Sequence, residues 1–252
     1  MSFFAVDNLG VRFGGVVAVD GVSFEVKEGD VYTIIGPNGA GKTTIFNLIG
    51  LIYQPTAGRI LFRERELRGA SHDVAQLGIA RTFQNIELFE QATVLQNLLI
   101  GRHRHRVTNL FDELLFRPSV RRAEIAQREA VERVIDLLDL AHYRDSRVAG
   151  LPYGIRKVVE LARALATEPQ LILLDEPSSG LNPEETDDMA FWIEDIKALG
   201  ITVLMVEHDM NLVSRVSTRV LALNEGRVIA EGTPAEVQSH PAVIEAYLGG
   251  GQ

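Results

Sequence analysis

Apolar positions change period along the chain, and each change predicts a different kind of element. The first 35 residues carry short runs of Val and Phe, broken at Gly14-Gly15, Asp20-Gly21 and Glu28-Gly29-Asp30, which predicts strands joined by turns. Val31-Tyr32-Thr33-Ile34-Ile35 has the composition of a buried strand and runs straight into a Gly-rich turn. Beyond the turn, Ile45, Phe46, Leu48, Ile49 and Ile52 recur at helical spacing, predicting a helix over 43–53. Pro55 and Gly58 punctuate the chain before a strand at 59–62. From Leu95 to about Tyr143 the chain is rich in Arg, Leu and Glu, with Val131, Val134, Ile135 and Leu138 at helical intervals. This predicts a helical subdomain inserted at approximately 90–165. From Ile155 the pattern alternates: helix, strand 171–174, helix 184–199, strand 201–206, helix, strand 219–223. Alternation of that kind predicts an α/β fold whose core sheet is mostly parallel and covered by helices. Residues 235–252 read as a C-terminal helix and tail, and the whole of 1–252 as one domain.

Composition narrows the partners. The 252 residues include 34 acidic and 25 basic side chains, a net charge of −9. That balance argues against nucleic acid, whose phosphates need a basic surface to displace their counterions. The absence of cysteine excludes disulfides, thiolate metal sites and a cysteine nucleophile. The stretch Met1 to Asp7 lacks the basic start and apolar run of a signal peptide, and no window of about 20 residues is apolar enough to cross a bilayer. The expectation is a cytoplasmic chain, with room left for a membrane partner.

The first chemistry lies in the Gly-rich turn. Gly36-Pro37-Asn38-Gly39-Ala40-Gly41-Lys42-Thr43 fits the phosphate-loop pattern G-x-x-x-x-G-K-[ST], set between a strand and a helix as its mechanism requires. Glycines let the backbone wrap so that successive N–H groups face phosphate oxygens, and the following helix adds the positive end of its dipole. Lys42 reaches the β- and γ-phosphates, the Thr43 hydroxyl is the candidate Mg²⁺ ligand, and Thr44 extends the cradle. Downstream, Leu171 to Leu174 is an apolar strand ending in Asp175-Glu176, where ligands of parallel sheets bind. Asp175 is read as a Mg²⁺ holder and Glu176 as the group that polarises the attacking water.

With these motifs together, the chain resembles the ATP-binding cassette (ABC) ATPases, the motor subunits of ABC transporters, over nearly its whole length. The resemblance implies a P-loop NTPase fold with an N-terminal antiparallel β region and a helical subdomain, and it implies ATP and Mg²⁺ as ligands. It assigns adenine stacking to Phe13, with Val19 as an apolar neighbour, although a lone Phe serves as readily in a core. It assigns metal and water coordination to Gln84 in Arg81-Thr82-Phe83-Gln84-Asn85, and the γ-phosphate switch to His208 in Val206-Glu207-His208-Asp209. The family signature, normally Leu-Ser-Gly-Gly-Gln, corresponds to Leu151-Pro152-Tyr153-Gly154-Ile155. In the family this helix start binds the γ-phosphate held by a second subunit, so Tyr153 and Gly154 join the nucleotide-binding set. Pro152 supplies no hydroxyl and Ile155 no amide, a departure from the pattern; the plainer reading is a proline that merely starts a helix. Asn182 in Ser179-Gly180-Leu181-Asn182 stands where an Asp is common.

Several stretches are similar to ATPases of branched-chain and hydrophobic amino-acid importers: Ile79 to Phe89, the Leu-Pro-Tyr-Gly signature, Ser179 to Pro183, and His240 to Ile244. Urea and short-amide importers have similar ATPases, and a dimerising module with weak hydrolysis is a further alternative. The implied partners are a second ATPase, identical or paralogous, integral membrane permease subunits and, indirectly, a periplasmic substrate-binding protein. The implied location is peripheral, on the inner face of the cell membrane. The basic stretch from Arg102 to Arg122 has two readings, a contact with lipid headgroups or permease, and a solvated face paired to Asp112, Glu113 and Glu124.

Overall fold

The computed structural model describes residues 2–82, 86–102 and 118–249, with side chains from 121 to 248 in the last stretch. The chain divides into two compact units, one formed by Met1–Gln84 with Gln170–Gln252 and the other by Asn85–Pro169.

The first unit holds two sheets. Strands β1 (Phe4–Phe13), β2 (Val16–Val26), β4 (Ala57–Phe62) and β5 (Arg65–Glu66) form an antiparallel sheet in the order β2-β1-β4-β5. Strands β3 (Val31–Ile35), β6 (Ile79–Arg81), β7 (Leu171–Asp175), β8 (Thr202–Val206), β9 (Arg219–Asn224) and β10 (Arg227–Gly232) form the second, in the order β10-β9-β3-β8-β7-β6. Its pairings are parallel except for the β9–β10 hairpin. Every residue of β3, β7 and β8 is buried. Burial on both faces is why these strands read as unbroken apolar runs rather than as alternating ones. The hairpin turns at Glu225 and Gly226, both at positive φ, the backbone a two-residue type I′ turn needs. β10 is the exposed edge, and its side chains lack the apolar run that would announce it.

Phe4, Phe24, Tyr32, Phe46, Leu173, Leu204 and Leu221 belong to one core cluster that joins both sheets to helix α1 (Lys42–Ile49). Each fully buried side chain of this size contributes about 1.5–3 kcal/mol. The helix predicted to reach residue 53 stops at Ile49. Leu51 takes a left-handed φ of 53°, and the N–H groups of Ile52 and Tyr53 both turn back to the Asn47 carbonyl. Ile52 therefore ends exposed instead of completing the apolar face. The remaining helices of this unit are α2 (Ser71–Gln76), α6 (Pro183–Ala198), α7 (Met210–Val216), α8 (Pro234–Gln238) and α9 (Pro241–Gly249). Val237 of α8 and Val243 of α9 pack on the other face of the core sheet with Ile35, Val220 and Ala222.

The second unit contains α3 (Val94–Gly101), α4 (Pro118–Leu137) and α5 (Tyr153–Leu165). Helix α5 buries Val158, Val159, Leu161, Ala162 and Leu165. Arg102 departs from both readings of the basic stretch. It is buried, donating to the Ala166 carbonyl at 3.0 Å and to Gln127, and paired with Glu168 at 2.9 Å. Its job is to close the end of α5 from within. Residues 103–117 of that stretch lie outside the described residues.

Candidate functional site

Three neighbouring parallel strands of the first unit, with the loop after β3, deliver most of the predicted residues. The loop Gly36–Gly41 is held in a shape that requires glycine at its two ends. Gly36 has φ 155° and a Cβ there would stand 2.4 Å from the Leu223 carbonyl oxygen; Gly41 has φ 100° and would meet the Ala18 carbonyl at 2.7 Å. Asn38, Gly39 and Thr43 are exposed, Thr44 is half-buried and Ala40 is buried. Lys42 folds back over the loop, its Nζ donating to the carbonyls of Gly36 at 2.6 Å and Pro37 at 3.0 Å. Burial pulls its ammonium below the ordinary lysine range, while Glu176 and Asp175 push it back up. The lysine thus sits within the electrostatic reach of both carboxylates, a partly desolvated cation ready for an anion.

β7 ends at Asp175, which is buried, and Glu176 follows at a left-handed φ of 51° with its N–H bonded to Val206 of β8. That turn swings the Glu176 carboxylate towards the end of β8, where His208 Nδ1 lies 4.0 Å from its Oε2. On the other side, β6 places Arg81 against Asp175, Nη2 to Oδ2 at 3.0 Å. The same guanidinium donates to Asn47 Oδ1 at 2.9 Å and lies over the Phe46 ring, so it ties α1, directly behind the phosphate loop, to the end of β7. Between Ser178 and His208, a wholly buried Glu207 accepts hydrogen bonds from both loops.

A hydroxyl at a helix start and a buried carboxylate at a strand end form a donor set suited to magnesium, a hard cation that keeps several waters and shares its shell with phosphate oxygens. The residues present therefore fit the ion. Phe13 is exposed at the end of β1, which removes the core reading, and the Tyr53 ring meets it edge-on at 5.0 Å. Val19 is buried beside Gly41. Tyr153 and Gly154 belong to the other unit, at the start of α5, with Tyr153 exposed, Gly154 buried and Pro152 in the N-cap position without a side-chain cap. Gln84 lies outside the described residues. Arg81, Asn47, Glu207 and Tyr53 are the members that sequence reasoning passed over. Arg81 and Glu207 stood inside quoted motifs, yet only strand adjacency gives them partners.

The ABC transporter family profile matches residues 19–179. The chain belongs to this family. It is an ABC ATPase, and the profile of the branched-chain amino acid ATP-binding cassette transporters also matches residues 227–252. This ABC ATPase is 42% identical over 250 residues to the high-affinity branched-chain amino acid transport ATP-binding protein LivG of Salmonella typhimurium, covering 97% of each chain. It is likewise 42% identical over 246 residues to BraF of Pseudomonas aeruginosa, a protein of the same description, covering 97% of this chain and 96% of that one. Among solved structures, the ADP conformation of MJ1267, an ATP-binding cassette of an ABC transporter, superposes with a TM-score of 0.86 at 34% identity, covering 99% of both chains.

Proposed function

We propose that this ABC ATPase hydrolyses Mg·ATP at the strand-end site and that hydrolysis drives an importer of branched-chain or other hydrophobic amino acids. The observation that carries the site reading is the convergence of Lys42, Asp175, Glu176 and His208 at the ends of β3, β7 and β8. Phe13 offers a ring face to adenine, with Val19 as its apolar neighbour. The 36–44 loop, from Asn38 to Thr44, holds the phosphates through N–H groups and Lys42. Thr43 and Asp175, with Gln84, would hold magnesium, which would supply positive charge to offset that of the phosphates. Glu176 takes the proton of the attacking water, and His208 steadies the γ-phosphate beside it. Tyr153 and Gly154 serve the nucleotide of a second ATPase, identical or paralogous, so that ATP closes a two-chain sandwich. Permease subunits hold the pair at the inner face of the membrane, and a periplasmic receptor feeds them.

The import reading rests on identity to LivG and BraF across almost the whole chain and on the C-terminal match. Uptake of labelled leucine and of labelled urea in cells lacking this chain tests it. Leucine uptake should fall and return with the wild-type chain but not with Glu176→Gln. Normal leucine uptake with lost urea uptake would replace it by the amide-importer reading.

A further inference from the structure

One buried carboxylate plays no part in the steps above. Glu207 follows β8 and precedes His208, and none of its surface reaches solvent. An ionised carboxylate in such a place is costly unless donors surround it. Four do. Oε1 accepts from the Ser178 N–H at 2.8 Å and from the Ser178 hydroxyl at 2.6 Å; Oε2 accepts from the N–H groups of His208 at 2.6 Å and Asp209 at 3.0 Å. All four hydrogen-bond donors are neutral, with the His208 ring farther off, its Nδ1 3.6 Å from Oε2, and hydrogen bonds to an ionised acceptor are the short, strong ones.

The donors come from two loops only. Ser178 stands two residues after Glu176, in the loop that runs to the start of α6. His208 and Asp209 open the loop that leads into α7. Each loop has internal support of its own. The Ser179 N–H bonds to the Glu176 carbonyl and the Leu181 N–H to Ser178, while Asp209 caps α7 through Asn211 and Leu212. The Glu207 carboxylate is therefore not what folds either loop. What it fixes is their register with each other, and with it the 4.0 Å spacing between Glu176 Oε2 and His208 Nδ1.

We propose that Glu207 is a positioning residue for hydrolysis, clamping the loop after Glu176 to the loop of His208 so that the two catalytic side chains face one γ-phosphate. The inference rests on the hydrolytic reading of Glu176 and His208 given above. It also gives the two loops a shared response, because a shift of one is transmitted through a single side chain to the other.

Glu207→Gln keeps the size but swaps one acceptor oxygen for an NH₂ that must face N–H groups. Misplacement of a catalytic group by about 1 Å costs up to roughly 100-fold in rate, so kcat of the full chain should fall by about 10- to 100-fold. Affinity for a fluorescent ATP analogue should change less than about 2-fold, because the Gly36–Gly41 loop and Lys42 are untouched. A purely structural role would lower both together. The decisive arm is a double-mutant cycle with His208→Ala. If Glu207 acts through His208, Glu207→Gln in the His208→Ala background should add less than about a 2-fold further loss. Ser178→Ala, which deletes one of the four bonds, supplies a milder variant should Glu207→Gln fold poorly. It should lower kcat by a few fold with ATP affinity kept, and this loss too should vanish in the His208→Ala background. Unchanged kcat in these variants, or losses that multiply with that of His208→Ala, would overturn the proposal alone. Wild-type turnover in His208→Ala itself would overturn the hydrolytic reading, and this inference with it.

Discussion

Arg81 and Asp175 show what one residue can do at this site. Their pair is almost wholly buried, with the two side chains 11% and 2% exposed, and Arg81 gains a second anchor at Asn47. Removing one partner of a buried pair strands the other charge and costs about 3–5 kcal/mol, far more than the pair's net worth against an apolar substitute. Arg81→Met should therefore lower the stability of the nucleotide-free chain by about 3 kcal/mol, and Arg81→Met with Asp175→Asn should lose less than Arg81→Met alone. Denaturant midpoints of the three chains decide it, and a double variant no more stable than the single one would count against the pairing. Glu176→Gln probes a different property. The amide keeps the shape but accepts no proton, so turnover should fall by roughly 10²–10⁴-fold with ATP still bound. Steady-state hydrolysis beside equilibrium nucleotide binding checks it, and wild-type turnover would remove Glu176 from its role.

At the scale of elements, legibility followed how far apart the interacting residues lie in sequence. The phosphate loop is local: its glycines, Lys42 and Thr43 announce their shape within eight residues, and the packed structure at Gly36 and Gly41 explains why no other residue stands there. Buried strands β3, β7 and β8 were legible because burial on both faces leaves an apolar run. Edge strand β10 and two-residue β5 leave no such trace. The Arg81–Asp175 and Ser178–Glu207 bonds span 94 and 29 positions, so neither pattern nor spacing could link those side chains before the strand order was known. Asn182 is the converse case, where the local signal carries over. Its Oδ1 accepts from the Glu185 N–H while Glu185 Oε2 accepts from the Asn182 N–H, a reciprocal cap at the start of α6 with Pro183 in the first helical position. The loss of negative charge relative to Asp leaves this cap intact. Asn182→Ala should cost about 1 kcal/mol of stability, measured by chemical denaturation, while Asn182→Asp should cost nothing. Equal losses in both would point to a role for Asn182 outside the helix cap.

For the whole molecule, the question is how two such chains meet. Among the described residues no helix is long and apolar enough to cross a membrane. The proposed sandwich needs the start of α5 to receive a γ-phosphate bound by another chain. In this protein that start is built around Pro152, which occupies the N-cap position with no side-chain hydrogen bond to the first turn. The phosphate contact then falls to backbone N–H groups near Gly154 and to the helix dipole. A hydroxyl at the same place would add one hydrogen bond to a charged group, worth about 1.5–3 kcal/mol. Permease subunits holding two ATPases together, as proposed, would supply an effective concentration that makes such a bond dispensable in the assembled transporter. In the isolated chain nothing supplies it. Light scattering on the Glu176→Gln chain with Mg·ATP should show a shift from monomer to dimer only at high protein concentration. Because the symmetric sandwich holds two such contacts, adding Pro152→Ser should move that shift to concentrations about 100-fold lower or more, at roughly 1.4 kcal/mol per factor of ten. The same substitution should change transport by the assembled complex much less. Equal or weaker association of the Pro152→Ser chain would mean that the proline costs the interface nothing and serves only to begin the helix.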